Sequence, residues 1–376
     1  MAVGKPPQAR SLPPVARELF LHIGMQKTGS TSIQHAGRAN RDRLADVGLL
    51  YPRTPGDKNH IKLTLFAWDG GKTNRLPLAA GVADPDAYRR FRSGFVEDLR
   101  AEIESAACPT VILSNEHLSS RLKLPAQLNR LATALRSIAR KITVVVYLRP
   151  QHELLVSSYS TKVKAGSIRQ IRLPKNQAFY YNYEWMLSLW ADAFGERNLI
   201  VRVFDRSELV GGDVVKDFFA TIDRPIPVDF DFSDVRNPSL DTKSLEFLRA
   251  FNTHLPAMLG SEPNPERGDI IPAMEAVSKG GAIWLPTDQL RTFAEMFTAS
   301  NANVARRYLG RSDGVLFKTL NFDRGSKPER LTVDDAVRIA AHLWRWKQRQ
   351  LLETRKRQAP EQRKSPARLN RLIYSE

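Results

Sequence analysis

Cysteine, long apolar runs and acidic side chains are all scarce in this chain, and each shortage excludes something. Cys108 is the only cysteine, so there is no partner for an intrachain disulfide and no basis for a cysteine metal cluster. A reducing, cytoplasmic setting is expected. The longest apolar stretch is "ITVVVYL" at 142–148, far short of the roughly 20 residues a spanning helix needs. The first residues, "MAVGKPPQARSLPPVAR", lack the apolar core of a secretory signal. They are basic and free of acid, as in transit peptides, but their prolines break the amphipathic helix such a peptide forms. Residues 1–17 therefore read as a disordered leader. No repeat with a period of 20 to 50 residues is visible, and no group of His, Cys and carboxylate residues has metal-ligand spacing.

The rest of the composition is that of a globular protein. Of 376 residues, 42% are hydrophobic and 26% charged, enough to bury a sizeable core. Lys and Arg number 57 against 40 Asp and Glu, a net charge of +17, with a pI near 10.1. Such a field favours anionic partners, among them acidic membrane surfaces, polyanions and phosphate-rich cofactors. Part of the excess is local. From Trp344 to Glu376 there are ten basic residues and three acidic ones. This tail, taken as 346–376, reads as a solvated, partly helical extension, with contact to an anionic surface as the alternative. No specific nucleic-acid partner is expected.

Strand and helix signals alternate along the chain, the pattern of a mainly parallel sheet. "ELFLHIG", "PTVILSNEHL", "ITVVVYLRP" and "NLIVRVF" read as strands. Between and after them, "STSIQHAGRANRDRLADVG", "AQLNRLATALRSIARK", residues 151–164, "YEWMLSLWADAFG" and "GGDVVKDFFATI" have helical spacing. Irregular polar stretches at 165–181 and 256–286 interrupt the rhythm. In open α/β sheets ligands sit beyond the carboxyl ends of strands, so inserts there are candidate walls for an acceptor.

The first strand runs into "GMQKTGSTS". A strand, a glycine- and hydroxyl-rich turn and a helix together make a phosphate site, because helix-start amides and the helix dipole converge on the anion. Gly24 and Gly29 permit the tight turn. Thr28, Ser30, Thr31 and Ser32 offer hydroxyl donors, and Lys27 a full charge. The Walker A pattern places glycine directly before the lysine. Here Gln26 stands there, and no apolar strand ends in a lone Asp to hold Mg²⁺.

The order Lys27-Thr28-Gly29-Ser30-Thr31 after a strand resembles the 5′-phosphosulfate-binding loop of the PAPS-dependent sulfotransferases, PAPS being 3′-phosphoadenosine 5′-phosphosulfate. The family's second signature, an Arg at a strand end and a Ser eight residues on, is matched by Arg149 and Ser157 in "VVVYLRPQHELLVSSYS". Eight residues allow a short turn and about one and a half helical turns, and a guanidinium can grip two phosphate oxygens. The stretch 183–219 also looks like bacterial members of the family, so the resemblance covers roughly residues 19–222. The glycine-rich C-terminal nucleotide motif of the cytosolic animal enzymes is not found.

The resemblance implies a three-layer, P-loop-like α/β fold with a central mainly parallel sheet flanked by helices, spanning 18–345. It implies PAPS as co-substrate, held by Gly24, Gln26, Lys27, Thr28, Gly29, Ser30, Thr31, Ser32, Arg149 and Ser157, with no metal. Sulfuryl transfer, like phosphoryl transfer, rests on positioning and on neutralising the leaving group, the role implied for Lys27. A general base must take the acceptor's proton. Three residues qualify: His60 in a polar loop, where polysaccharide-acting branches often carry their base, and Glu116 and His117 at a strand end. Neighbours on an extended strand face opposite ways, so Glu116 and His117 are not expected to enter the site together while the strand stays extended. The acceptor is expected to be a hydroxyl of a carbohydrate or other polar metabolite. The alternatives are a P-loop kinase or nucleotide hydrolase, and a non-catalytic polyanion-binding protein.

Overall fold

The structure, a computed structural model, describes residues 13–69, 84–174, 178–232, 240–260, 262–278, 285–322 and 330–362. Of the leader read over 1–17, residues 1–12 lie outside the described residues, and so does 363–376 of the tail read over 346–376. The chain divides into two compact units. The first comprises Met1–Leu155, Leu173–Arg236 and Asp288–Asn321. The second comprises Val156–Arg172, Asn237–Thr287 and Phe322–Glu376.

In the first unit, β1 (Ala16–His22) leads into α1 (Ser30–Ala39), α2 (Arg41–Asp46) and the short β2 (Leu49–Leu50). Helices α3 (Ile61–Ala67) and α4 (Pro85–Ala106) precede β3 (Thr110–Ser114). Then come α5 (His117–Arg121), α6 (Pro125–Ile138) and β4 (Ala139–Leu148). Helix α7 (Gln151–Lys164) runs from the first unit into the second. Back in the first unit, α8 (Tyr183–Phe194), β5 (Leu199–Val203) and α9 (Val214–Thr221) follow. The second unit holds α10 (Thr242–His254), an antiparallel pair β6 (Met258–Leu259) and β7 (Glu262–Pro263), and α11 (Ile270–Glu275). The chain returns to the first unit with α12 (Thr287–Glu295) and α13 (Thr298–Leu309), and ends in the second with α14 (Val333–Gln362).

The first unit is an α/β fold with a five-stranded, all-parallel sheet in the order β2-β3-β1-β4-β5. Strands covered on both faces need apolar residues at consecutive positions, and β1 and β4 supply them. Phe20, Val145 and Tyr147 join Ile33 and Ala36 of α1 and Val214 and Phe218 of α9 in one cluster. Leu19, Leu21, Val144 and Val146 are buried on the opposite face, where α6 and α8 pack against β4.

Two element boundaries differ from the sequence reading, each for a tertiary reason. The expected single helix over 30–48 breaks at Asn40. Its Nδ2 donates to the carbonyls of Ala36 (2.9 Å) and Asp231 (3.0 Å), and its Oδ1 accepts from the Asp231 amide (2.7 Å). The helix expected to continue to Lys141 ends at Ile138, because Ala139 and Lys141 pair with Ala16 and Glu18 of β1.

In the second unit, Tyr159 and Val163 of α7 pack with Leu245 and Leu248 of α10, Met274 of α11 and Ile339 of α14. No helix among the described residues is long and apolar enough to cross a membrane.

Candidate functional site

Strands β1, β3 and β4 end side by side, and the segments beyond them are laced together. The Met25 amide donates to the Tyr147 carbonyl (3.1 Å) and the Tyr147 amide to the Gly24 carbonyl (2.8 Å). On the other side, the Asn115 amide donates to the His22 carbonyl (2.9 Å). Gly24 has φ 105°, and a Cβ there would lie 2.9 Å from the Cα of Glu116. Only glycine lets the loop pass so close to the end of β3.

Lys27 also adopts a left-handed backbone, with φ 66°. Gly29 caps α1 without a side-chain hydrogen bond; its carbonyl accepts from the Ser32 (2.9 Å) and Ile33 (3.2 Å) amides, so only the amides ahead of Ser32 lack an acceptor within the helix. The hydroxyls of Thr28 and Ser30 both donate to the Met25 carbonyl at 2.7 Å. They shape the loop from inside, whereas Thr31 is exposed and Ser32 half-buried.

Arg149 follows β4 directly. Its Nη1 donates to the Lys27 carbonyl (3.2 Å), while Nε and Nη2 reach Glu153 Oε2, each at 2.9 Å. Its own carbonyl accepts from the Tyr183 hydroxyl (2.5 Å). Ser157 falls on the part of α7 that belongs to the second unit, where its carbonyl accepts from the Thr161 hydroxyl (3.2 Å).

The three base candidates differ sharply in state. His60 is completely buried. Its Nδ1 accepts from the Ser114 amide (3.0 Å) and its Nε2 donates to the Pro52 carbonyl (3.1 Å), with the ring against Tyr51. Burial, with the Arg41 charge adding to it, pushes its pKa down to about 3. The ring is neutral and its one lone pair is already engaged.

Strand β3 stops at Ser114, and the Asn115 side chain caps the amide of His117 (2.8 Å). Glu116 is already helical in backbone, so the strict alternation of an extended strand no longer separates the two side chains. The separation expected of them is corrected here, for Glu116 Oε1 lies 3.8 Å from His117 Nε2. Glu116 Oε2 accepts from Gln34 Nε2 of α1 (2.6 Å) and Asn59 Nδ2 (2.8 Å). Gln26 Nε2 donates to His117 Nδ1 (3.2 Å), which leaves the ring proton on Nε2, toward Glu116. Burial lowers the pKa of His117; Glu116 opposes that shift and Arg121 reinforces it.

Four residues in this arrangement escape a reading of motifs alone. Gln34 and Asn59 orient Glu116, Glu153 holds Arg149, and Tyr180 lies within the electrostatic reach of Glu116, its phenol pKa raised mainly by burial. Two of them left a signal. Gln34 is a polar residue on the buried face of α1, and Glu153 stands four residues after Arg149, the spacing of a helical ion pair.

Comparison with known proteins gives two likenesses, while no family model matches the chain. A bacterial sulfotransferase, that of Alicyclobacillus acidocaldarius, has a crystal structure 20% identical in sequence to this chain. The match covers 64% of this chain and 92% of that one, with a TM-score of 0.34. An uncharacterized protein of Archaeoglobus fulgidus is 29% identical over 170 residues, 44% of this chain and 46% of the relative. The chain thus spans less than half the length of that curated relative.

Proposed function

We propose that the chain is a PAPS-dependent sulfotransferase that moves a sulfuryl group to a hydroxyl of a glycan or other polar metabolite. One observation carries this reading. The Arg149 guanidinium donates to the Lys27 carbonyl across 122 residues of sequence, so the two segments that resemble the family's phosphate-binding signatures meet at the ends of adjacent strands.

The residues present suit the co-substrate. An uncapped helix start, a lysine beside it and an arginine at the next strand end offer donors to two separate phosphate groups. Bound PAPS supplies the sulfuryl group and a phosphate leaving group. Lys27 offsets charge on the leaving oxygen, and the α1 amides hold the 5′ side. Arg149 holds the 3′-phosphate, for which the ligand competes with Glu153. Glu116 Oε1 takes the proton of the acceptor hydroxyl while Oε2 stays fixed by Gln34 and Asn59. His117 is a positioning residue in this scheme, and the engaged lone pair of His60 removes it from the base role.

Calorimetry with the product nucleotide PAP, and transfer of radiolabelled sulfate from PAPS to a panel of glycans, phenols and lipids, test the proposal. Micromolar or tighter PAP binding is expected. Lys27→Ala should lower turnover by about a hundredfold or more, and Arg149→Ala should weaken PAP binding by about tenfold or more. Tight Mg²⁺-dependent ATP binding with no response to PAP would instead identify a kinase or nucleotide hydrolase.

A further inference from the structure

Helix α14 carries two apolar stripes, and only one of them is covered within the second unit. Ile339 and Leu343 sit on the core formed with Leu245, Leu248, Ile270 and Met274. Val333, Val337, Trp344 and Leu351 point away from it, with 81%, 61%, 68% and 44% of their surface exposed. At about 100° per residue, these four lie within roughly 40° of one another, in a row about 27 Å long. Isolated exposed apolar side chains are ordinary on a protein surface, but four aligned on one face of a helix mark a contact.

Charge selects the occupant. The first turn of the helix carries Asp334 and Asp335, the latter paired with Arg338 (2.5 Å) and Lys243 (3.0 Å); from Ala336 to Leu352 there is no carboxylate, Arg345, Lys347 and Arg349 stand beside the row, and Arg355, Lys356 and Arg357 follow Glu353. A second copy of the helix would bring like charges together. It would also need a second apolar position beside each of Val337, Trp344 and Leu351 to form a seam. Three residues on stand Ala340, Lys347 and Thr354, and four residues on stand Ala341, Gln348 and Arg355; neither set makes one. Nucleic acid would use the cations but leave the apolar row in water. A bilayer surface with anionic headgroups uses both, since phosphates meet the basic side chains while the row sinks into the interface with Trp344 at headgroup depth.

We propose that this face of α14 docks the protein on a membrane surface rich in anionic lipid, with the helix lying in the plane of the interface. The proposal rests on the second unit alone and is independent of the sulfuryl-transfer reading.

Sedimentation of the full chain with lipid vesicles tests it. Binding is expected to vesicles of mixed phosphatidylglycerol and phosphatidylcholine, to weaken with salt, and to be lost on pure phosphatidylcholine. The double variant Trp344→Glu/Leu351→Glu changes two exposed side chains, so its circular dichroism should match the parent. Its vesicle affinity should fall by more than about tenfold, as should that of the triple variant Arg345→Gln/Lys347→Gln/Arg349→Gln. Equal binding to both kinds of vesicle, or unchanged binding by the glutamate variant, overturns the proposal. So does a concentration-dependent dimer that the glutamate variant abolishes in a protein that ignores vesicles. Salt-sensitive binding to duplex DNA, undiminished in the glutamate variant and without vesicle binding, overturns it as well.

Discussion

At the scale of single residues, Glu116 and His60 show how much a side chain's fitness for proton transfer depends on what already occupies its lone pairs. Glu116 uses Oε2 to hold its place, with Gln34 and Asn59 as donors, and turns Oε1 toward His117. Glu116→Gln keeps the size of the side chain and removes its basicity. Turnover should fall by about 10²- to 10⁴-fold, with the PAP dissociation constant from calorimetry changing less than about threefold. Loss of PAP binding together with turnover would show that Glu116 builds the nucleotide site instead. The sequence named both Glu116 and His60, yet it could not show their states. A loop histidine reads as solvated until the Ser114 amide, 54 positions away, takes up its Nδ1. Where β3 stops was equally hidden, because "VILSNEHL" has no glycine or proline to punctuate it before Glu116.

At the scale of elements, the first turn of α7 puts a carboxylate where it suits the helix dipole and also restrains Arg149. With Nε and Nη2 on Glu153 and Nη1 on the Lys27 carbonyl, the guanidinium fork is engaged before any ligand arrives. Glu153→Gln removes a competing anion, and PAP affinity should rise by about threefold, roughly 0.7 kcal/mol of ion pairing no longer opposed. A weaker affinity would mean that Glu153 orients Arg149 for the ligand. The sequence placed α7 correctly over 151–164 and put Arg149 at a strand end, since local periodicity and the Arg-Pro boundary carry that information. It missed the break between α1 and α2, for Asn40 finds its partner Asp231 only after 191 residues. The early start of β4 was hidden likewise, because pairing with β1 overrides a helical pattern in "ARK".

At the scale of the whole molecule, alternating strand and helix signals were enough to read a parallel α/β sheet. The second unit was not legible, since it is assembled from three separated segments whose contacts no local pattern reveals. The first unit also sets an acid limit on stability. His22 is fully buried, with Nδ1 beside the Ser114 hydroxyl (2.8 Å), and burial pushes its pKa to about 3, as for His60. Between about pH 6.5 and 3 the unfolded chain binds protons at both rings and the folded chain does not. The stability that comes from keeping these rings neutral is therefore present above pH 6.5 and lost as the pH falls toward 3, by up to about 1.4 kcal/mol per pH unit for each ring. Urea midpoints measured at pH 7, 6 and 5 should decline in step; a flat series would mean that neither histidine is held neutral by the fold.

The central place of β1 also sets a timetable for biosynthesis. Both of its neighbours, β3 and β4, are made later than β1 itself. The strand leaves the ribosome with two unpaired edges, and the second is covered only after Leu148, about 125 residues downstream. At roughly 5–20 residues per second, that wait lasts on the order of 6 to 25 s. Through that interval "LFL" at 19–21 is an open template for wrong partners.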